Sequence, residues 1–76
     1  MKNLIAYIAA SLVDKPEEVQ VRELDNGQGT TLELTVAKDD IGKVIGRQGR
    51  TARAMRIVLG AASAKAQKRV TLDIQE

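Results

Sequence analysis

The sequence predicts an α+β domain in which helices cover one face of a three-stranded sheet, in the order helix, strand, strand, helix, helix, strand. Three observations predict it. Apolar residues recur at helical spacing near the start of the chain and again over residues 50–66. Three short runs alternate apolar and polar residues, the period of a half-buried strand. A pair of glycines, Gly46 and Gly49, divides the second helical region into a short and a long piece.

Leu4, Ile5, Ile8, Leu12 and Val13 share one helical face, so residues 2–13 form an amphipathic helix. Pro16 stops it, because a residue preceding proline avoids the helical region. Val19 and Val21 alternate in a first strand that ends near Leu24. Asp25-Asn26-Gly27 is a turn, since Asn and Gly tolerate positive φ. In the second strand Leu32, Leu34 and Val36 share one face, and Thr31, Glu33 and Thr35 the other. Residues 17–37 thus make an antiparallel hairpin with one buried face. Asp39 and Asp40 offer an N-cap and negative charge to a short helix that runs to about Val44. After the Gly46–Gly49 loop a long helix runs from Arg50 to Ala66, and Val70, Leu72 and Ile74 alternate in a final strand.

Length and composition narrow the function. A 76-residue chain buries only about 60% of its unfolded surface, enough for one compact domain. It has no cysteine and no histidine, which excludes disulfides and the usual zinc sites. No run approaches a membrane span, and the start is too interrupted by Tyr7 and Ser11 for a secretory signal, so a cytoplasmic protein is expected. Tyr7 is the sole aromatic residue. Single-strand binders that stack bases need exposed rings, so a nucleic-acid grip here rests on backbone amides, arginines and aliphatic contacts.

The formal net charge of +2 conceals a strong asymmetry. Residues 1–40 carry four basic and eight acidic side chains, whereas residues 41–72 carry eight basic and no acidic ones. A basic half that begins at a glycine-bounded loop is an electrostatic footprint for phosphate.

That loop lies in Ile41-Gly42-Lys43-Val44-Ile45-Gly46-Arg47-Gln48-Gly49-Arg50. Glycine at both ends lets the backbone turn sharply and approach a ligand. The following helix points its N-terminus, with unpaired N–H groups, at whatever lies over the loop, a position that favours phosphate. Arg47 and Arg50 add charge there, Lys43 is placed for a phosphate contact, and Gly42 and Ile45 suit the floor of a groove for a base. Other glycine loops fail on spacing. The phosphate-loop string GxxxxGK[ST] is absent, and Val44 stands where a GxGxxG fingerprint ending at Gly49 needs its first glycine.

Val44-Ile45-Gly46-Arg47-Gln48-Gly49 resembles the VIGxxG heart of KH domains, and the order of elements resembles their type II arrangement. The chain resembles the small stand-alone bacterial KH proteins of the KhpA family. Their amphipathic first helix, "VD-x-P" corner, hairpin and "D-[IV]-G-K-V-I-G-x-Q-G" string have counterparts at Val13, Asp14, Pro16 and Asp40 to Gly49. The resemblance runs through all 76 residues as a single KH domain. It implies that Gly46, Arg47, Gln48 and Gly49 clamp the backbone of about four unpaired nucleotides. Ile41, Gly42 and Ile45 would line one wall of the groove, Arg50, Arg53 and Ala54 the other, and the second strand its far edge. DNA is an alternative ligand, because nothing in the sequence is certain to sense the 2′-OH.

Catalysis is not expected, and neither is a cofactor or metal. No histidine supplies a group poised near neutral pH, adjacent Asp39 and Asp40 diverge at a helix start, and Ser11 and Ser63 lack a partner base.

The long helix carries a second surface. Ala52, Met55, Leu59, Ala62 and Ala66 form its core seam, while Arg50, Arg53, Ile57, Gly60, Ala61 and Ala64 fall on the opposite side. Small residues around one Ile allow close approach of another helix, so Ile57, Gly60, Ala61 and Ala64 are a candidate partner interface. The resemblance implies a homodimer that also joins a larger KH-containing partner. Two functions follow: a sequence-tolerant RNA binder, acting as a chaperone or post-transcriptional regulator, and a protein–protein adaptor to which RNA is incidental.

Overall fold

The computed structural model describes residues 2–75. Helix α1 (Lys2–Leu12) buries Ile5 and Ala9 completely. Leu4 and Leu12, expected on the same inner face, remain exposed, because the stripe that meets the sheet centres on Ile5 and Ala9, one turn apart. A 3₁₀ turn at Pro16–Glu18 redirects the chain and ends where the Val19 amide donates to the Pro16 carbonyl at 3.1 Å.

Strands β1 (Gln20–Asp25) and β2 (Gly29–Thr35) pair antiparallel, with Val21 opposite Leu34 and Glu23 opposite Leu32. The corner of the hairpin lies one residue later than the sequence suggests. The Asn26 amide donates to the Gly29 carbonyl at 3.0 Å, and Asn26 Oδ1 accepts the amides of Gln28 and Gly29 at 3.1 and 2.9 Å. Asn26 therefore acts as the post of the turn through its side chain, a common use of Asn, and Gly27 supplies the positive φ of 84°.

Helix α2 (Ile41–Ile45) and helix α3 (Arg50–Ala66) flank the glycine loop, and strand β3 (Arg69–Ile74) closes the sheet. The strand order is β1-β2-β3, with β3 parallel to β2. A parallel neighbour requires a long crossover, and α2, the loop and α3 form it. Helix α1 packs on β1, α3 packs on β3, and α2 packs against α3.

All helices pack on one face of the sheet, as the alternation in the strands requires. Leu32, Leu34 and Leu72 join Ile5, Val21, Val44, Met55 and Leu59 in the core, while Arg22, Thr35, Thr71 and Asp73 point to solvent. Along α3 the expected seam is present at Ala52, Met55 and Leu59, with Ala62 half-buried. The side chain of Ala66, expected to extend it, lies outside the described residues. The helix ends at Gln67 in the left-handed region, where the Gln67 amide donates to the Ala64 carbonyl and the Lys68 amide to the Ser63 carbonyl. Lys68 Nζ then reaches Asp25 at 3.1 Å and ties the end of α3 to the hairpin.

Candidate nucleic-acid interface

The loop between α2 and α3 is built on two different glycine conformations. Gly46 has φ 78° and ψ 169°, a region open essentially to glycine alone. Gly49 has φ 74° and ψ 15°, the left-handed helical region that other residues enter at a cost. Between them Gln48 also takes a positive φ of 57°. Gly46 is further confined by contact: a Cβ on it would lie 2.7 Å from Thr51 Cβ and 2.9 Å from the Thr51 amide nitrogen. Added side chains at Gly42 and Gly49 would meet open space.

Within the turn the Gly49 amide donates to the Gly46 carbonyl at 3.1 Å, and the Arg50 amide to the Arg47 carbonyl. The Gly46 amide closes α2 on the Gly42 carbonyl at 2.8 Å. The amides of Arg47 and Gln48, between the glycines, have no acceptor among the described residues. Both amides lie within the loop itself.

Around these amides the structure places several of the expected side chains. Arg47, Arg50 and Arg53 are exposed and form no ion pair among the described residues. Arg50 Nη2 donates to Gln48 Oε1 at 3.3 Å, which turns one guanidinium over the loop. Ala54 is exposed on the next turn of α3. On α2, Gly42 is exposed and open, Ile45 is half-buried, and Ile41 packs partly against the core. The second strand, expected at the far edge of the groove, is the central strand of the sheet, and α3 packs on β3.

One acidic and one basic residue have roles the sequence does not indicate. Asp40 precedes α2, yet its side chain makes no N-cap hydrogen bond. It is 1% exposed, and its carboxylate accepts the backbone amides of Asp14 at 3.3 Å and Lys15 at 3.1 Å. Lys43 Nζ donates to Asp40 Oδ1 at 3.4 Å and also to the Asp14 carboxylate. Burial alone would raise the Asp40 carboxyl pKa. The two amides and the Lys43 ammonium outweigh that and hold it below the ordinary 3.8. The hydrogen bond to Asp14 is the main reason that Lys43 is raised above its ordinary 10.5, with burial opposing and Asp40 adding to it. Nothing in the sequence points to Thr51, whose side chain lies against Gly46.

On the outer face of α3, Ile57 is 66% exposed, and Gly60, Ala61 and Ala64 are exposed beside it. No group of acidic residues among those described could hold a metal ion, and no described helix is long and apolar enough to cross a membrane.

Comparison with known proteins agrees with the fold. The family model for the KH domain of KhpA and KhpB matches residues 2–74. The RNA-binding protein KhpA of Halalkalibacterium halodurans is 54% identical over 74 residues, which cover 97% of both chains. That of Clostridium acetobutylicum is 55% identical over 74 residues, covering 97% of this chain and 99% of its own. That of Chlamydia trachomatis is 47% identical over 76 residues, covering 100% and 97%. No solved structure matches the chain. With its glycine loop between two helices and its α-β-β-α-α-β order, the chain belongs to the KhpA/KhpB family of KH domains.

Proposed function

We propose that this chain binds single-stranded RNA and that the Gly46–Gly49 loop grips the sugar–phosphate backbone of about four nucleotides. The observation that carries this reading is the pair of amides at Arg47 and Gln48 without an acceptor among the described residues, framed by exposed Arg47, Arg50 and Arg53, which form no ion pair among those residues. Amides and guanidinium groups converging on one point suit a phosphate oxygen. Ile41, Gly42 and Ile45 form one wall of the groove and Arg50, Arg53 and Ala54 the other. The relatives carry the name RNA-binding protein, which supports RNA as the ligand.

Phosphate contacts carry no sequence information, and one short groove without aromatic platforms reads few bases. The binding is therefore sequence-tolerant, which suits a cytoplasmic RNA chaperone or post-transcriptional regulator acting as one KH domain. No catalytic step enters this reading.

The test is binding of a labelled single-stranded RNA to the wild type and to the double variant Arg47→Asp/Gln48→Asp, with circular dichroism to confirm folding. Asp tolerates the positive φ at position 48 better than most residues, so the fold is expected to survive. Loss of binding in the variant supports the loop as the site, and equal binding overturns it. A single-stranded DNA arm measures how far the groove depends on the 2′-OH.

A second reading rests on the exposed Ile57. Together with Gly60, Ala61 and Ala64 it forms a face where a second copy of the chain, or a larger KH-containing protein, docks by helix–helix contact. Persistence of the monomer mass at high concentration in analytical ultracentrifugation would remove the self-association reading.

A further inference from the structure

Helix α2 has only five residues and spans about 7.5 Å. A helix so short is not stable alone, so the loop it carries is only as well placed as its two ends. The C-terminal end is fixed by the Gly46 amide on the Gly42 carbonyl and by contact with Thr51. The N-terminal end is fixed by Asp40. Asp14 and Lys15 lie between α1 and the Pro16 turn, outside any helix or strand, and both donate their amides to the Asp40 carboxylate. A carboxylate binds backbone amides more strongly than a neutral acceptor does. Lys43, one turn into α2, supplies the balancing cation and reaches across to Asp14.

We propose that Asp40 and Lys43 form a clasp that positions the Gly46–Gly49 loop, and that Lys43 serves RNA binding through this clasp rather than by touching phosphate. The inference rests on the reading of the loop as the RNA grip. It adds that two charged residues of the α2 segment are positioning residues. Lys43 is the cation nearest the loop on α2, yet its ammonium is turned toward two carboxylates. The arginines on the α3 side remain without acidic partners among the described residues.

The experiment compares Asp40→Asn, Lys43→Met, Lys43→Arg and the control Arg47→Gln in the full chain. Exchange of the hydrogen-bonded loop amides, those of Gly46, Gly49 and Arg50, is read without RNA, and affinity for a labelled single-stranded RNA is read across a salt series. The proposal expects Asp40→Asn and Lys43→Met to speed loop exchange by about tenfold relative to the sheet amides. It expects both to weaken RNA binding while the log–log salt slope stays at the wild-type value. Lys43→Arg should restore both properties. Arg47→Gln should leave exchange unchanged and reduce the slope by about 0.7, the value of one lost phosphate contact on a single strand.

A slope for Lys43→Met reduced as much as for Arg47→Gln would overturn the proposal, because Lys43 would then be a phosphate contact. Unchanged loop exchange in Lys43→Met would overturn it too. If the wild type fails to bind RNA, the reading of the loop falls, whereas the exchange comparison still decides the clasp. If Asp40→Asn does not fold, the Lys43 variants and Asp14→Asn, on the exposed rim, give the same answer.

Discussion

Gly46 and Thr51 are in such close contact that a Cβ on the glycine would lie 2.7 Å from the Cβ of the threonine. The contact locks the end of α2 onto the first turn of α3 and makes the two loop glycines unequal. Gly46→Ala meets both a glycine-only backbone region and a steric clash, so it should cost about 1–3 kcal/mol or more. Gly49→Ala meets open space and only the left-handed penalty of about 1–2 kcal/mol. Urea unfolding of the two variants should place Gly46→Ala clearly lower in midpoint, and equal midpoints would contradict the contact.

Gly42 provides the opposite case. It sits inside α2 with nothing within 4 Å of an added Cβ, so Gly42→Ala should raise stability by about 0.5–1 kcal/mol. If a base lies against this position, the same methyl group should weaken RNA binding. Stability and affinity then move in opposite directions, a pattern that a purely structural glycine would not produce.

The Asp40 clasp predicts a pH profile. A carboxylate held below 3.8 in the folded state contributes stability that is complete above its unfolded value and is lost as pH falls through the folded one. Lys43, raised above 10.5, contributes stability that is complete below that value and is lost as pH rises through its folded value. Urea midpoints should therefore be flat from about pH 5 to 9 and fall on the acid side. Asp25, held low mainly by its hydrogen bond from Lys68 and also by the Gly27 amide, adds to the same acid limb. Asp40→Asn should make the acid limb shallower, and an identical limb would show that the clasp carries no linkage.

The end of α3 carries a strained residue remote from the loop. Gln67 takes φ 56° where many helices place glycine. Gln67→Gly should stabilise the chain by about 0.5–1 kcal/mol without changing RNA affinity. A loss of stability would mean that the Gln67 side chain makes contacts that outweigh its backbone strain.

The sequence made the element order legible because each segment keeps one period: Ile5 and Ile8 the helical one, Leu32, Leu34 and Val36 the strand one. The glycine pair was legible for the same reason, since Gly46 and Gly49 interrupt a helical pattern. Other features depend on contacts between distant residues. Asp40 reads as a cap because it begins a helix, yet its partners, Asp14 and Lys15, are 26 and 25 residues away. Period two locates β3 but does not specify its parallel pairing with β2. Nor does the sequence distinguish Gly46, confined by Thr51, from Gly49, which faces open space. Charge counting likewise places Lys43 with the arginines, although its ammonium is held by two carboxylates.

The most direct test of the central claim is to follow backbone amide resonances of the ¹⁵N-labelled chain during titration with a short single-stranded RNA. The account predicts that the largest shifts fall on Arg47 and Gln48, with smaller ones from Gly42 through Ala54, while the amides of β1 and β3 barely move. Shifts centred on the outer sheet face or on Ile57 to Ala64, with the Arg47 and Gln48 amides unmoved, would contradict it.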